Sequence, residues 1–522
     1  MTPARLIAVD TEDNSRGEVL LINFFDGESH YTFRERLPAW NWLRNAGPAR
    51  IWACNMEYDI NNIFGDWVDD LLTLTFNQSA FIKAQWSGHG LTFCDTLRHW
   101  PLSVESMGEK IGLPKLKASG AGNKFDDVEY CRRDTEIVFR FVEAQTREYE
   151  RLGAEVKNTL PSSAFDLFKR EFCKVRLSRP DDETCDRLMG AAYGGRVEIF
   201  KTGLLTGPID CYDINSLYPS VMAANEYPLP ASGRWGKFDP SSEGIISATV
   251  RVPDCYVPVL PFRLKKIPSE KGKLIFPVGE FSGVWTAPEI RAAIKAGAEI
   301  KRVDWAYNYT EKGRPFQEWV NLIYGRREKS SDELEKYTLK LFMNSVFGKF
   351  TEAGALQIYK KKKRTDLENR PDHANIVLGA YTTAYGRLRI LEAIKANEKE
   401  ICYTDTDSVF LKEAPPIKCG TGLGEWKLEG KYRLAEFVLP KFYLTVDADG
   451  KKRYKSKGVP FKARQEFFER GRAEYLAPMR FRESRRRLMP ANVWEKKVRC
   501  LRANYEKRNI LPNGETSPIK IG

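Results

Sequence analysis

The sequence predicts a multidomain protein that combines an α/β domain with further α+β domains. Its 522 residues exceed the roughly 100 to 200 residues that a typical domain takes. The first 155 residues alternate short apolar, β-like runs with helical patterns such as that of 126–151, which indicates an α/β domain. Prolines and serines between 158 and 182 are typical of a junction, so we expect separate units after it.

The charge of the chain is unevenly distributed. The net formal charge is +13, but residues 1–155 hold 17 Lys and Arg against 24 Asp and Glu, a net of −7. The rest therefore carries +20, and 459–522 alone supplies +9, with 16 basic against 7 acidic residues. Such a basic surface either faces solvent or binds a polyanion. The aromatic residues interleaved with it favour a folded DNA-binding lobe.

Composition argues against several other classes of protein. The ten cysteines form no CxxC pair and the four histidines show no ligand spacing, so zinc chemistry, a disulfide framework and a Ser/His/Asp triad are not indicated. No apolar run of about 18 residues occurs, and the chain opens directly into a β-like segment. We therefore expect a soluble, unexported, cytoplasmic protein without a membrane partner, whose catalysis uses carboxylates.

The stretch YTDTDS, residues 403–408, places two carboxylates beside an apolar, β-like segment. On a strand, Asp405 and Asp407 would point to one face. Two acids that share a space raise each other's pKa unless a cation lies between them, so the pair predicts a divalent metal site. A third acid is then expected elsewhere, and Asp213 in the stretch DINSLYPS is the candidate.

A helix is predicted between these two motifs. Ser330 and Glu333 have the spacing of a capping box, and helix-forming residues continue to Val346 before Gly348 ends the helix. Such a helix face usually contacts solvent, but two cations, an amide and an aromatic ring also suit a nucleoside triphosphate. The four residues that share this face within about 80° are Lys336, Lys340, Asn344 and Phe347.

These motifs resemble those of the family B DNA polymerases. DINSLYPS resembles motif A, KLFMNSVFGK motif B and YTDTDS motif C, in the order of that family. The stretch YGGR, residues 193–196, resembles the element between the exonuclease and polymerase parts. The stretch KFY, residues 441–443, resembles the KxY element that holds the primer end. Three ordered motifs of this length are a strong signal.

The first third of the chain resembles the 3′-5′ exonuclease of the same family. Asp10-Thr11-Glu12 stands where the DxE motif is expected. The stretch NMEYD, residues 55–59, resembles the second motif, and YCRRD, residues 130–134, resembles the Yx3D third motif. A lone DxE is most often a surface turn, but three motifs in order, followed by a polymerase, favour a second catalytic centre.

The resemblance implies a ribonuclease H-like exonuclease domain followed by a right-hand polymerase with two insertions. Extra segments after Asp213 and after Gly348 resemble the protein-primed viral branch, whose first insertion docks a terminal protein and whose second encircles DNA. The second insertion there supports processivity and strand displacement. The ranges expected are exonuclease 1–155, palm 156–225 and 379–458, first insertion 226–315, fingers 316–350, second insertion 351–378 and thumb-like basic lobe 459–522.

For the polymerase centre, the resemblance implies two Mg²⁺ ions, or Mn²⁺ in their place, held by Asp213, Ile214 and Asp407 and supported by Asp405. Tyr218 would lie beneath the sugar and exclude a 2′-hydroxyl. The nucleotide-binding residues implied are Ser216, Leu217, Tyr218, Lys336, Lys340, Asn344 and Phe347. The DNA-binding residues implied are Asn55, Tyr58, Tyr193, Gly194, Gly195, Arg196, Lys441 and Tyr443.

For the exonuclease centre, the resemblance implies two further metal ions. Tyr130 would orient the attacking water, and the catalytic lysine would be Lys117 in preference to Lys115. The metal-binding acids implied are Asp10, Glu12, Asp59 and Asp134.

The partners implied are template and primer DNA, deoxynucleoside triphosphates and a terminal protein primer. The protein is expected to be a monomer, in the host cytoplasm if it is viral. Two rival hypotheses stay open: a family B polymerase that extends ordinary nucleic-acid primers, and a DNA-binding scaffold or nuclease that has lost synthesis. The second is disfavoured, because no acid of either centre is missing.

Overall fold

The computed structural model describes residues 5–14, 17–78, 80–116, 127–265, 272–352, 354–361, 363–368, 370–479, 483, 487, 493–501 and 504–522. Within these ranges the chain forms three large sheets with flanking helices, which confirms the predicted multidomain α/β architecture. The helices described there include none that is long and apolar enough to cross a membrane.

The amino-terminal unit is a sheet with helices on both faces. Its three central strands pair in parallel, and Ile7, Ala8 and Val9 of the first are all fully buried, as expected for a strand covered on both faces. The strands are β1 (Arg5–Asp13), β2 (Val19–Phe25), β3 (His30–Phe33), β4 (Ala49–Ala53), β5 (Thr73–Asn77), β6 (Ala80–Trp86) and β7 (Leu91–Asp95), in the order β5-β6-β7-β4-β1-β2-β3. The helices are α1 (Arg36–Asn45), α2 (Met56–Phe64), α3 (Val68–Leu71), α4 (Val104–Lys110) and α5 (Val128–Arg151).

The central sheet has seven strands in the order β24-β23-β22-β9-β21-β20-β8. Its strands are β8 (Val197–Ile199), β9 (Gly203–Ile214), β20 (Ile401–Asp405), β21 (Ser408–Lys412), β22 (Trp426–Leu439), β23 (Phe442–Val446) and β24 (Lys452–Ser456). The helices that lead to it or pack near it are α6 (Leu160–Leu167), α7 (Asp182–Met189), α8 (Leu217–Ala224) and α12 (Ile376–Ala396). This sheet carries Asp213, Asp405 and Asp407 at the ends of neighbouring strands.

The segment predicted as the first insertion contains a five-stranded sheet in the order β11-β16-β12-β15-β29. Its strands are β11 (Gly233–Gly236), β12 (Glu243–Val252), β15 (Val278–Thr286), β16 (Glu299–Tyr309) and β29 (Lys520–Ile521), and α9 (Ala287–Lys295) packs on it. Two small ribbons accompany it, β10 (Tyr227–Pro228) with β17 (Lys312–Gly313) and β13 (Phe262–Leu264) with β14 (Lys273–Ile275). The edge strand β29 comes from the far end of the sequence, which the pattern of 226–315 alone could not show.

Two helices, α10 (Gln317–Lys329) and α11 (Glu333–Lys349), pack against each other where the fingers are predicted. The predicted helix start is wrong by two residues. Asp332 caps α11 by accepting from the backbone N–H groups of Leu334 (2.8 Å) and Glu335 (3.4 Å), whereas Ser330 donates to the Glu335 side chain. Aspartate caps as well as serine, and it stands closer to the first helical turn. Gly348 does not end the helix, which continues to Lys349.

A hairpin of β18 (Ala355–Lys360) and β19 (Lys363–Glu368) lies where the second insertion is predicted. It extends the sheet of the amino-terminal unit, because β18 pairs antiparallel with β5 from Leu356 opposite Asn77 to Lys360 opposite Thr73. The Tyr359 ring packs edge-on against Phe76 at 5.6 Å. Two parts of the chain that are distant in sequence therefore share one sheet.

The segment predicted as one thumb-like lobe, residues 459–522, divides into two parts that lie in different places in the fold. Up to Leu501 it forms α13 (Arg464–Arg470) and the ribbon of β25 (Arg472–Pro478) with β26 (Trp494–Cys500). Residues 504–522 instead return to the central and five-stranded sheets and include the ribbon of β27 (Arg508–Ile510) with β28 (Thr516–Pro518). The basic composition of 459–522 gave no sign of this return.

Candidate active sites

The first site forms where three strands of the central sheet end. Asp213 lies at the end of β9, and the antiparallel pairing of β9 with β21 places Ser408 opposite it. The backbone N–H of Ile214 donates to the carbonyl of Asp407 (2.9 Å), which fixes the turn between β20 and β21 against β9. The sheet thus brings Asp213 and Asp407 together although they are far apart in sequence.

Asp405 occupies a different environment from Asp407. Its carboxylate accepts hydrogen bonds from Lys441 Nζ (2.7 Å) and from the Tyr403 hydroxyl (3.3 Å). Lys441 and Tyr443 were expected to bind DNA, but in this structure Lys441 is paired with Asp405, and the Tyr443 ring packs on that of Tyr403 at 5.4 Å. Asp405 is therefore held by the protein itself, whereas Asp407 faces Asp213.

The surroundings of this site make ionisation of Asp213 and Asp407 less favourable and so raise their pKa values. Burial raises the pKa of Asp213 to about 7, with further contributions from the charges of Asp407 and Glu429. Burial also raises the pKa of Asp407, and the charges of Asp405 and Glu429 add to it. Sequence reasoning missed Glu429, which lies at a bulge of β22 next to Lys427, the residue paired across the sheet with Asp213. Only the pairing of β22 with β9 brings it here.

We expect the metal-free protein to lose stability as the pH rises through about 7. A carboxyl whose pKa is raised on folding binds its proton more tightly in the folded state. Its contribution to the free energy of unfolding therefore decreases as the pH rises from the unfolded pKa near 4 to the folded value. Asp213→Asn should therefore raise the thermal midpoint by a few degrees at about pH 8, and by less at about pH 5.

Thermal unfolding with and without Mg²⁺ checks this expectation. Mg²⁺ should raise the midpoint of the wild type more at about pH 8 than at about pH 6, because protons compete for the same carboxylate. In Asp213→Asn this pH dependence should shrink. If metal-free Asp213→Asn unfolds at the wild-type thermal midpoint at about pH 8, that result would contradict the repulsion between Asp213 and its neighbouring acids.

A cleft of about 580 Å³ opens above these acids and is lined by α10 and α11 as well as by the sheet. The predicted face of α11 does turn toward it, with Lys336, Lys340 and Asn344 among the lining residues. Sequence reasoning missed two residues of α10 on the same wall, Tyr324 and Arg327. They could not be found because α10 shows no motif, and only its packing against α11 brings them to the cleft.

Tyr218 lies at the start of α8, where Ser216 and Leu217 also line the cleft. Its ring contacts that of Phe347 at a centroid distance of 4.6 Å. On the other side it lies against Gly386 of α12, where an added Cβ would be only 2.9 Å from the Tyr218 ring. The ring is therefore confined between two helices at the edge of the cleft.

The Tyr and Arg side chains of the YGGR stretch are buried in this structure. Tyr193 is 5 % exposed and Arg196 1 % exposed, and the expectation that this stretch binds DNA stays a prediction. Arg196 instead pairs with Glu198 (2.5 Å), because a guanidinium taken out of water needs a compensating carboxylate. The carbonyls of Tyr193 and Gly194 accept from Arg387 of α12 (both 2.8 Å).

Gly195 in the same stretch packs against the turn that holds the acids. An added Cβ there would lie 2.7 Å from the Thr406 side chain, so this position requires glycine for close approach.

The second site lies in the amino-terminal unit, around the end of β1. Asp10 and Glu12 come from β1, Asp59 from α2, and Tyr130 and Asp134 from α5. Burial raises the pKa of Asp10, and the charges of Asp59, Asp134 and Glu12 add to it. Burial likewise raises the pKa of Asp59, although Thr11 donates a hydrogen bond to it (2.8 Å). Four acids predicted from three separate motifs thus share one electrostatic environment.

The lysine of this site is Lys115 among the residues that the structure describes. It forms an ion pair with Asp134, and its ammonium lies 4.6 Å from the centre of the Tyr130 ring. Burial opposes its charge, but the hydrogen bond to Asp134 prevails and raises the pKa of Lys115. Lys117, the residue preferred from sequence, lies outside the described residues.

Two further predicted residues flank this site. Asn55 adopts a left-handed backbone conformation (φ 73°), and its N–H donates to Asp95 (3.0 Å), a buried acid at the end of β7 that sequence reasoning missed. The Tyr58 hydroxyl donates to Asp13 (2.5 Å). The side chain of Tyr58 is therefore anchored through its hydroxyl.

Both sites have the donor chemistry for divalent cations. The Asp10 Oδ2 atom is buried without a hydrogen-bond donor among the described residues, and Asp213 and Asp407 raise each other's cost of ionisation. No cluster of three or more His, Cys, Asp or Glu in the described ranges forms a ready-made metal cage.

Comparison with known proteins shows which family this chain matches. The sequence profile of the family described as "DNA polymerase type B, organellar and viral" matches residues 117–421, more than half of the chain. The DNA polymerase of Bacillus phage Nf is 24 % identical over 440 residues, covering 74 % of this chain and 76 % of that protein. A probable DNA polymerase of Ascobolus immersus is 27 % identical over 325 residues, covering 55 % of this chain and 26 % of the fungal protein.

Among solved structures, the fold is similar to that of phi29 DNA polymerase complexed with primer-template DNA and incoming nucleotides. The TM-score is 0.74 at 16 % sequence identity, and the match covers 96 % of this chain and all of the other. The chain thus spans about a quarter of the length of the fungal relative but the whole of the phage enzyme in that structure.

Proposed function

This chain belongs to the type B DNA polymerases of organelles and viruses, and from that membership we propose that it copies DNA at the first site and removes 3′-terminal nucleotides at the second. The observation that carries the proposal is the meeting of Asp213 and Asp407 beneath a cleft lined by Lys336 and Lys340. In domain terms, the amino-terminal unit acts as a ribonuclease H-like exonuclease, the central sheet as the palm, and α10 and α11 as the fingers.

Synthesis follows from what these side chains do to a bound nucleotide. Asp213, the Ile214 carbonyl and Asp407 would hold two Mg²⁺ or Mn²⁺ ions, which would lower the pKa of the primer 3′-hydroxyl and neutralise the triphosphate. Lys340 and Lys336 add positive charge beside the phosphates, and Asn344 and Phe347 continue this face of α11. The primer hydroxyl attacks the α-phosphate of the nucleotide, and pyrophosphate leaves.

Asp405 and Lys441 have supporting parts in this proposal. Because Lys441 donates to Asp405, the pair keeps the turn between β20 and β21 in place. Lys441 and Tyr443 line a cleft beside the acids, which we assign to the primer. The backbone of Gly194 and Gly195 lies next to the same turn, so any DNA contact by this stretch is through its main chain.

Tyr218 is proposed to select deoxynucleotides. Its ring is confined between Phe347 and Gly386, so it cannot move aside readily for a 2′-hydroxyl. Tyr218→Val should raise the relative efficiency of ribonucleotide incorporation by roughly 10- to 100-fold. Single-nucleotide kcat/KM values for dATP and ATP measure this ratio. Tyr218→Phe is the matched control, because it keeps the ring, and a Val variant with the wild-type ratio would contradict the assignment.

Removal of nucleotides is proposed to use Asp10, Glu12, Asp59 and Asp134 as the metal-binding acids. The Lys115 ammonium pairs with Asp134 and lies over the Tyr130 ring, and in this proposal it orients the attacking water together with the Tyr130 hydroxyl. Asn55 and the ring of Tyr58 hold the single-stranded end by hydrogen bonding and stacking. Lys115→Ala should lower this activity without changing synthesis, which a 5′-labelled oligonucleotide assay measures.

Protein priming is proposed as the way in which synthesis starts, with a terminal protein as the partner and linear DNA as the template. Support comes from the phage relatives and from the additional elements in 226–315 and 351–378, to which we assign terminal-protein docking and DNA encirclement with strand displacement. We assign the basic hairpin lobe up to Leu501 to a thumb, and the working form to a monomer in the host cytoplasm.

The priming assay supplies Mg²⁺, dATP and a candidate terminal protein on blunt-ended linear DNA. A covalent adduct between that protein and the nucleotide is the expected result. Normal extension of an oligonucleotide primer without any adduct would favour the alternative, a type B polymerase that extends ordinary nucleic-acid primers.

A further inference from the structure

Residues 504–522 pack against β8, an edge strand of the central sheet. The N–H of Ile199 donates to the Tyr505 hydroxyl (2.8 Å), and the Thr516 hydroxyl donates to the Ile199 carbonyl (2.9 Å). Lys507 Nζ donates to the carbonyl of Val197 (2.9 Å). Every residue of this short strand is therefore contacted from a segment about 300 positions later in the sequence.

A buried network of ion pairs lies between residues 504–522 and β8. Glu198 is fully buried between Arg196 (2.5 Å) and Arg508 (3.3 Å), both of which are 1 % exposed. Arg508 also donates to the Thr516 hydroxyl (2.8 Å) and lies 4.6 Å over the Phe200 ring. The two guanidinium charges outweigh burial and lower the pKa of Glu198. Removing Glu198 would leave two buried guanidinium groups without their carboxylate, so the three side chains act as one unit.

This network reaches the metal-binding turn of the first site through the backbone. The N–H of Thr406, which lies between the two acids of that turn, donates to the carbonyl of Arg196 (2.8 Å). Thr406 has a left-handed backbone conformation (φ 66°) that a threonine adopts only when its surroundings hold it there. In the sheet, Glu198 also pairs with Thr404. The position of Asp407 thus depends on where β8 and Arg196 are held.

We propose that Glu198 and Arg508 are positioning residues of the polymerase centre and that residues 505–516, which contact β8, are a working part of it. They set the Asp405–Asp407 turn through Arg196 and Thr406. This role rests on the proposed function of the first site. A shift of the turn by about 1 Å is enough to lower the rate of the chemical step by roughly 100-fold.

Glu198→Gln and Arg508→Met test the proposal, with Thr516→Val as a milder variant of the same network. We expect kcat for nucleotide incorporation to fall roughly 10- to 100-fold in the first two, with the KM for dNTP within about 3-fold of wild type and a higher Mg²⁺ concentration at half-maximal rate. Degradation of single-stranded DNA, at the separate second site, should stay unchanged. Lys520→Met is the matched control, because it breaks an exposed ion pair with Asp254 in the same segment.

The possible results separate this role from others. Variants that incorporate nucleotides with the wild-type kcat and Mg²⁺ dependence would overturn the positioning role. Equal loss of synthesis and degradation would also overturn it, because it would show only a general requirement for folding. A wild-type protein that degrades DNA but incorporates no nucleotide would overturn the proposed function of the first site, a result distinct from either of these.

Discussion

Asp407→Ala is expected to reduce nucleotide incorporation by roughly 10³-fold or more while leaving the degradation of single-stranded DNA intact. Asp407 shares the first site with Asp213, and burial and mutual charge make both acids costly to ionise without a cation. Without the Asp407 carboxylate, the first site would lose one proposed metal ligand and part of the negative charge that would hold the cations. The second site lies on a different sheet and does not use this residue.

Primer extension and oligonucleotide degradation, measured on the same preparation, check this expectation. Glu413→Gln is a suitable control, because Glu413 is an exposed acid just beyond β21 of the same sheet and pairs only weakly with Lys412 (3.7 Å). Parallel loss of both activities in Asp407→Ala would contradict the existence of two separate centres.

The double change Asp10→Ala and Glu12→Ala is expected to have the opposite effect. Release of nucleotides from a single strand should fall by roughly 10³-fold, because two of the four acids around the end of β1 are lost. Synthesis on a paired primer should remain near the wild-type rate. Removing Asp10 also removes a carboxyl whose pKa is raised by its burial and by repulsion from the neighbouring acids, so the variant should be at least as stable as the wild type without metal.

A 5′-labelled single strand measures the release, and Glu28→Gln in the turn between β2 and β3 is the control for an exposed acid of the same unit. Persistence of full degradation in the double variant would place the nuclease centre elsewhere.

Local motifs predicted much of both sites. Asp213 and Asp407 were predicted because each lies beside an apolar, β-like run, and Asp10 and Glu12 because Asp10-Thr11-Glu12 resembles the DxE motif of the family. The shared face of α11 was found because helical periodicity is a local property. Both kinds of signal lie within a few residues along the chain.

The features that were missed depend on contacts between distant segments. Glu429 reaches the first site only through the pairing of β22 with β9, and Asp95 reaches the second only through the position of β7 beside β4. Arg196 was assigned to DNA through its place in the YGGR stretch, and a motif does not show that the side chain is buried. The return of 504–522 to the central sheet, and the addition of β18 and β19 to the sheet of the amino-terminal unit, carry no local signal.

The amino-terminal unit and the 355–368 hairpin share one sheet. This connection is relevant to how the two centres work together. α11 also packs on α5, where Thr338 donates to Gln145 (2.7 Å) and the Phe342 ring meets that of Tyr149. Tyr130 and Asp134 lie toward the beginning of the same α5. The helix that faces the nucleotide cleft is thus in direct contact with a helix of the second site.

The most direct test of two centres in one chain uses a primer whose last nucleotide is mismatched with the template, with Mg²⁺ and all four dNTPs. The wild type is expected to remove the mismatched nucleotide and then extend, so that full-length product carries the template-directed base. Asp407→Ala should only shorten this primer, and Asp10→Ala with Glu12→Ala should fail to remove the mismatch. Full-length wild-type product that retains the mismatch, or identical behaviour of the two variants, would contradict the account.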